Sequence, residues 1–400
     1  MIEPKEFYRK IDVIQNKIGK DKSGQDFLFD IIVEFEKVFG KDLHIRKGII
    51  YEKNDDEYIL ISKLDKFQSH VREKIEMTDP AIEALEENKI YIYDNLSLVF
   101  PGWENIRSVY KIPAALRVSS LENSWIFLFE LLSGWQREEI EFCLNAVRAA
   151  LKYRLISDSI NNEMQQAVYI QKSLLPQKSP TLIGYDIAGR SNPAELVGGD
   201  IYDYFLFDDK SFGFCIGDAS GHGLPAALVA RDAITGLRMG LEKHMKMVHT
   251  LKKLNRVIYK SVFSTKFISL FYGELEDDGN LFYVNAGHPQ PILVKGTSIT
   301  ELDTTGMIFG ALPEIELNRS FVRLEEGSVL VLFTDGIFER ENKNGESYNI
   351  ERVKKIIEKN QELPSSKLRD SIFEDADNFG NGKKWDDDAT VVVIKRLVTA

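Results

Sequence analysis

Apolar residues keep helical spacing in some stretches of the chain and strand-like clustering in others. Phe27, Leu28, Ile31, Ile32, Phe35, Val38 and Phe39 recur at intervals that put them on one face, with Gly40 as a stop, and predict a helix. Short apolar runs at 48–51, 58–61, 90–93, 112–118 and 125–132 predict strands, the first two separated by the polar turn Asn54-Asp55-Asp56. A short helix is expected over 81–87, after Asp79-Pro80. From 137 to 175 neither glycine nor proline interrupts the chain, and Ile140, Leu144, Val147, Leu151 and Leu155 form a near coiled-coil seam. The seam shifts at Ile160, Met164 and Val168, a stutter, and Pro176 ends the helix. A helix of ~40 residues reaches ~60 Å, more than joining two neighbours requires, and the seam predicts pairing with a second copy. The alternative is one long buried helix of a monomer. Beyond Pro176, strands are expected at 186–189, 202–207, 211–217, 268–274, 281–286, 291–294, 328–334 and 390–395. Helices are expected at 225–241, 247–263, 350–359 and 365–373. Strand runs with helices gathered in pairs predict an α+β domain, antiparallel sheets with helices packed outside.

The chain thus reads as an α/β module over 1–134, a helical linker over 135–176 and an α+β domain over 177–397. In element order and length the first module resembles a GAF-type sensor domain, which implies a small-molecule or protein regulator. The alternative is a packing or dimerisation module that binds nothing. Hydrophobic content of 44% with 28% charged residues is globular. With 51 Lys and Arg against 62 Asp and Glu, net −11, the chain should be repelled by nucleic acid. No apolar run approaches the ~18–20 residues that span a bilayer, and the start MIEPKEFYRK has no apolar signal segment. A cytoplasmic protein without a membrane partner is expected. Two cysteines, Cys143 and Cys215, make neither a disulfide framework nor a cysteine zinc site.

The candidate chemistry lies where aspartates end apolar strands. Gly198-Gly199-Asp200 precedes one strand, and Gly217-Asp218-Ala219-Ser220-Gly221-His222-Gly223 follows another. Thr334-Asp335-Gly336 follows a third, and Asp386-Asp387-Asp388-Ala389-Thr390 leads into the last. Glycine beside a carboxylate lets the backbone turn tightly and approach a ligand. Carboxylates and backbone carbonyls are ligands of hard cations, and several like charges gather only where a cation offsets their repulsion. Each motif alone is most simply a turn with a capping Asp.

In the order GGD, GDASGHG, TDG, DDAT they resemble the metal-dependent serine/threonine phosphatases of the PPM type, in the bacterial branch of stage II sporulation protein E and the RsbU-like phosphatases. Ile170-Gln171-Lys172-Ser173-Leu174-Leu175-Pro176, Pro193-Ala194 and Asn285-Ala286-Gly287-His288-Pro289 match as well, so the resemblance covers about 165–397. It implies a PPM-type antiparallel β-sandwich flanked by helices and two Mn²⁺ or Mg²⁺ ions. Asp218 would bridge the ions with the Ala219 carbonyl beside it, Asp200 would serve one ion, and Asp335 and Asp387 the other, with Asp388 second choice to Asp387. Asp218 and Asp200 are the residues expected to carry catalysis, and Gly199 would allow the close approach. In such two-metal hydrolysis the cations lower the pKa of a shared water, which attacks phosphorus in line.

Other residues keep two readings. His222 is an acid for the leaving oxygen or a histidine that shapes its turn, and His288 is open in the same way. Cys215 reads as a small buried residue. Arg190 and Arg231 are basic residues near the motifs in sequence, and phosphate recognition outside the metals is left unexplained. Ala219 stands where the family commonly has valine, and Asn349 where it often has glycine. The implied substrate is a phosphoserine on a STAS-type anti-anti-sigma protein in partner switching, with the enzyme a homodimer controlled through its N-terminal module and helix. The alternatives are a catalytically silent phosphatase-fold scaffold and a phosphatase of a small phosphoester.

Overall fold

The computed structural model describes residues 9–10, 12–14, 25–62, 71–95, 97–104, 111–208, 210–241, 247–260 and 266–398. By its contacts the chain falls into two units, Met1–Glu163 and Met164–Ala400.

The first unit contains α1 (Gln25–Phe39), β1 (Ile45–Asn54), β2 (Glu57–Leu60), β3 (Lys74–Glu76), α2 (Pro80–Asn88), β4 (Ile90–Ile92), β5 (Ile112–Ser119), β6 (Ser124–Leu131) and the first part of α3 (Arg137–Leu174). Its strands form one antiparallel sheet in the order β3-β2-β1-β6-β5-β4. Strand side chains alternate between faces, and β6 is buried throughout because both faces are covered. Phe127, Phe129 and Leu131 pack with α1, while Ile126 and Leu128 pack with α2 and the aromatic residues Tyr51, Tyr93, Phe100 and Trp103. Asp79 accepts from the Ala81 N–H with proline in the first turn, the start signal expected for α2.

The seam of α3 corrects one expectation. Ile140, Leu144, Val147 and Leu151 sit in the same core as α1, each at most 3% exposed. They are covered inside their own unit rather than left to face a second copy. A helix buried on one side repeats at three and four residues just as a coiled coil does, and spacing alone does not distinguish them. Val168, further along, packs in the second unit with Val197 and Ala227.

The second unit continues with β7 (Tyr185–Asn192), β8 (Ile201–Leu206), β9 (Ser211–Ala219), α4 (Gly223–Gly240), α5 (Met247–Lys260), β10 (Ile268–Glu276), β11 (Asn280–Ala286), β12 (Ile292–Lys295), β13 (Ser298–Glu301), β14 (Ser320–Arg323), β15 (Val329–Phe333), α6 (Asp335–Phe338), α7 (Ile350–Asn360), α8 (Ser365–Gly380) and β16 (Ala389–Arg396). Two antiparallel sheets, ordered β14-β11-β10-β9-β8 and β13-β12-β15-β16-β7, face each other. Phe212, Phe214 and Ile216 of β9 meet Val392 and Ile394 of β16 between the sheets. The alternate residues turn outward, Cys215 and Ala219 to α4 and α5, Val391 and Val393 to α7 and α8. This is the expected antiparallel sandwich with helices on both outer faces. The expected helix 247–263 is seen to Lys260, and 261–263 lie outside the described residues. Unforeseen were β13, exposed along its whole length, the short β14, and the single turn α6.

Candidate active site

One end of the sandwich gathers the motif aspartates, because the strands that carry them end or begin there. Asp218 and Ala219 close β9, Asp200 immediately precedes β8, Asp335 follows β15, and Asp387 and Asp388 lead into β16. Asp200 ties the two sheets together. Its Oδ2 accepts hydrogen bonds from the hydroxyls of Thr334 and Thr390, both at 2.7 Å, and the Thr390 N–H donates to the Thr334 hydroxyl at 2.9 Å. Its other oxygen, Oδ1, is buried and has no hydrogen-bond partner among the described residues. An unpaired buried carboxylate oxygen is costly unless something electropositive meets it.

Electrostatics say the same of the neighbours. Burial, with Asp218 next in size, holds Asp200 well above the usual carboxylate range. Burial followed by the charges of Asp335, Asp387, Asp388 and Glu339 pushes Asp218 up to about 7. Asp335 rises to about 6, again from burial and then from Asp387 and Glu339. Among the described residues no three carboxylates, histidines or cysteines already close into a metal-sized cluster. Like charges held apart, one bare buried oxygen and raised pKa values are nevertheless the properties of a donor set that fits a hard cation.

The three terminal aspartates separate by role. Asp388 accepts from the Ala194 N–H at 2.8 Å and the Gly199 N–H at 2.6 Å, so both oxygens fasten the Gly-Gly-Asp loop. Asp386 pairs with Lys383 at 2.9 Å. Asp387 accepts from the Asp388 N–H at 2.8 Å and acts on Asp218 and Asp335 through its charge. Gly199 is where a close approach is needed: a Cβ there would lie 2.7 Å from the Ala219 carbonyl oxygen. Gly336 is the other, since its Cβ would run into the Asp388 carbonyl.

His222 stands at the N-cap of α4 without capping it. Its ring is 78% exposed and pairs with Glu195, Nδ1 to Oε1 at 2.8 Å, so it does not shape the turn through side-chain bonds to it. His288 is buried, meets the Ser269 hydroxyl at 3.0 Å through Nδ1, and burial drops its pKa to about 3, leaving it neutral. Ser269 pairs with Asp218 across β9 and β10, so His288 supports the floor of the site. Cys215 is the expected small buried residue of β9. Arg190 lies 4.5 Å over the Phe373 ring and Arg231 pairs with Asp232.

A family model described as stage II sporulation protein E (SpoIIE) matches residues 208–397. Phosphoserine phosphatase RsbU of Bacillus subtilis (strain 168) is 30% identical over 250 residues, covering 61% of this chain and 73% of RsbU. The chain belongs to the SpoIIE family. Phosphoserine phosphatase RsbP of the same organism is 28% identical over 156 residues, 37% of this chain and 38% of RsbP. The SiaA-PP2C domain of Pseudomonas aeruginosa superposes with a TM-score of 0.53 at 19% identity, over 60% of this chain and 98% of that domain, which shows the PP2C fold. The SpoIIE-family chain is accordingly a protein serine/threonine phosphatase of the PPM type, and the resemblance drawn from its four aspartate motifs holds.

Three residues of the SpoIIE-family site had no signal of their own in the sequence. Thr334 and Thr390 sit inside the quoted motifs, but only the fold shows both hydroxyls on one carboxylate oxygen. Glu339, one turn beyond Asp335, adds a further negative charge that acts on Asp218 and Asp335. With Gly336, Arg340, Glu341, Asp386 and Asp387 it lines a cleft of about 350 Å³.

Proposed function

We propose that this chain removes phosphate from phosphoserine on a protein substrate with the help of two divalent cations, Mn²⁺ or Mg²⁺, held by Asp200, Asp218, the Ala219 carbonyl, Asp335 and Asp387. The observation that carries the reading is the bare Oδ1 of Asp200 within a group of buried, mutually repelling aspartates. Bound cations would activate a water and offset the charge of the phosphoryl oxygens. The chain's own contribution is placement. Thr334 and Thr390 aim Asp200, Asp388 fixes the loop that carries it, and Gly199 leaves the Ala219 carbonyl open.

The substrate we propose is a phosphoserine on a STAS-type anti-anti-sigma protein, on the strength of the similarity to a phosphoserine phosphatase, RsbU. The N-terminal unit is a GAF-like receiver of a small molecule or a protein partner, and α3 carries its state onward. A homodimer finds support on the opposite side of α3 from the buried seam. There Phe142, Ala149, Tyr153, Ile156 and Ile160 fall at coiled-coil spacing, with Tyr153 80% exposed.

Phosphate release from a phosphoserine protein, compared across Mn²⁺, Mg²⁺ and EDTA for wild type and Asp218→Asn, tests the activity. Turnover that needs metal and vanishes in the variant is expected. Turnover unaffected by EDTA, or silence with every metal, overturns the reading.

A further inference from the structure

A phosphoserine brings two negative charges to a place already lined by Asp200, Asp218, Asp335, Asp387, Asp388 and Glu339. The arginines of this unit that stand near the motifs in sequence are engaged elsewhere. Arg190 lies over Phe373, Arg231 pairs with Asp232, and Arg238 binds Asp203 and the Leu174 carbonyl. Arg340 binds the carbonyls of Lys383 and Lys384, and Lys383 itself pairs with Glu341 and Asp386.

Lys266 is different. It immediately precedes Phe267 and β10, in a ladder where Ile268 faces Ala219 and Ser269 faces Asp218. Extending that antiparallel register brings Lys266 opposite Gly221, in the turn that follows Asp218. Its ammonium donates to the Ser220 carbonyl at 3.0 Å and lies flush against Gly221, where a Cβ would collide with Nζ. Gly221 has a φ of 84°, a backbone conformation that favours glycine, and the absence of a side chain there leaves the place the ammonium occupies. Gly221 stands three positions after Asp218, at most about 11 Å between their Cα atoms.

The lysine is not required to hold this turn. Phe267 already does so, accepting from the Ser220 N–H at 2.9 Å and donating its own N–H to the Ser220 hydroxyl at 3.0 Å. Nor does Lys266 form an ion pair among the described residues. Among the described residues one of its three N–H donors is used, which leaves two for an anion. Phe267 beside it is 42% exposed, an apolar rim for an approaching polypeptide.

We infer that Lys266 is a substrate-binding residue, whose ammonium holds the phosphoryl group of the phosphoserine at the turn after Asp218. The inference rests on the phosphatase reading and supplies the recognition of phosphate that the aspartate motifs do not. In phosphoryl transfer much of the protein's work is positioning and charge neutralisation, and a lysine does this as a mobile point charge.

The test uses the full chain with Lys266→Met and Lys266→Arg. Inorganic phosphate binding is measured by calorimetry at saturating Mn²⁺, alongside KM and kcat on a phosphoserine peptide and the Mn²⁺ half-saturation. Lys266→Met is expected to weaken phosphate binding and raise KM about ten- to a hundredfold, with Mn²⁺ half-saturation and melting temperature unchanged. Lys266→Arg should recover most of the loss. Unchanged phosphate affinity in Lys266→Met overturns the inference. So does a parallel fall in Mn²⁺ affinity, which would make the residue a brace for the turn. If the wild type turns over no phosphoserine substrate, the phosphatase reading fails by itself, while the calorimetric comparison still decides the role of Lys266.

Discussion

Each unit draws ionisable side chains together, and the two groups are built on opposite principles. In the first unit the Tyr58 hydroxyl donates to Glu86 at 2.7 Å, accepts from Arg117 at 3.3 Å and meets Ser124 at 3.2 Å. Arg117 also pairs with Glu86 at 2.6 Å, so negative charge is answered by positive charge within the group. In the second unit Asp200, Asp218, Asp335 and Asp387 face one another with no arginine or lysine paired to any of them among the described residues. A closed, balanced network fixes a fold and asks for nothing further. An open group of one sign leaves part of its interaction energy to a ligand, which is how a binding site differs from a structural one.

The sharpest way to break this contrast is Asp218→Asn. Turnover should fall about a thousandfold or more. The metal-free protein should melt no lower than wild type in EDTA, because a repulsive charge has been removed. A variant that unfolds instead would show the aspartate to be structural. Arg117→Met probes the other group and should do the reverse. Leaving Glu86 and Tyr58 without their cation should cost about 2 kcal/mol of stability in a denaturant titration, with Mn²⁺ affinity intact. Loss of metal binding there would blur the distinction between the two units. Thr334→Val removes one of two hydroxyls that aim Asp200 and should weaken Mn²⁺ about tenfold while the fold persists. An unchanged titration would show Thr390 to be sufficient alone.

The smallest effect is on pH. Asp218 at about 7 and Asp335 at about 6 stand above the ordinary 3.8, so the metal-free folded chain binds more protons than the unfolded chain between about pH 4 and 7. Its stability therefore falls as pH rises through that window. In EDTA the melting temperature should be several degrees lower at pH 8 than at pH 5. With Mn²⁺ the order should reverse, since protons compete for the same oxygens. Equal melting at both pH values without metal would mean the repulsion is already relieved.

Most elements were legible because burial on one or two faces leaves a period in the sequence. The strands of the sandwich core show it plainly, and so do the amphipathic helices α7 and α8. Exposed β13 buries nothing and leaves no such trace. The aspartates were legible as motifs because backbone turns and carboxylates must adjoin in sequence. Their partners were not, since Thr334, Thr390 and Lys266 reach the site through sheet register, a relation between residues far apart in the chain. The α3 seam shows the converse difficulty. Its spacing revealed a buried face, and only the fold revealed what covers it.

Asp388 fastens Ala194 and Gly199 from nearly two hundred residues away, and β16, which follows it, lies between β15 and β7 in its sheet. On the ribosome β7 emerges long before its neighbour exists. At about 5–20 residues per second, some 10–40 s separate the two strands. During that interval the edge of β7 is unpaired and a nascent chain cannot assemble the Gly-Gly-Asp loop. A product cut short before Asp388 is thus no crippled phosphatase competing for substrate, but a chain on which the site never formed.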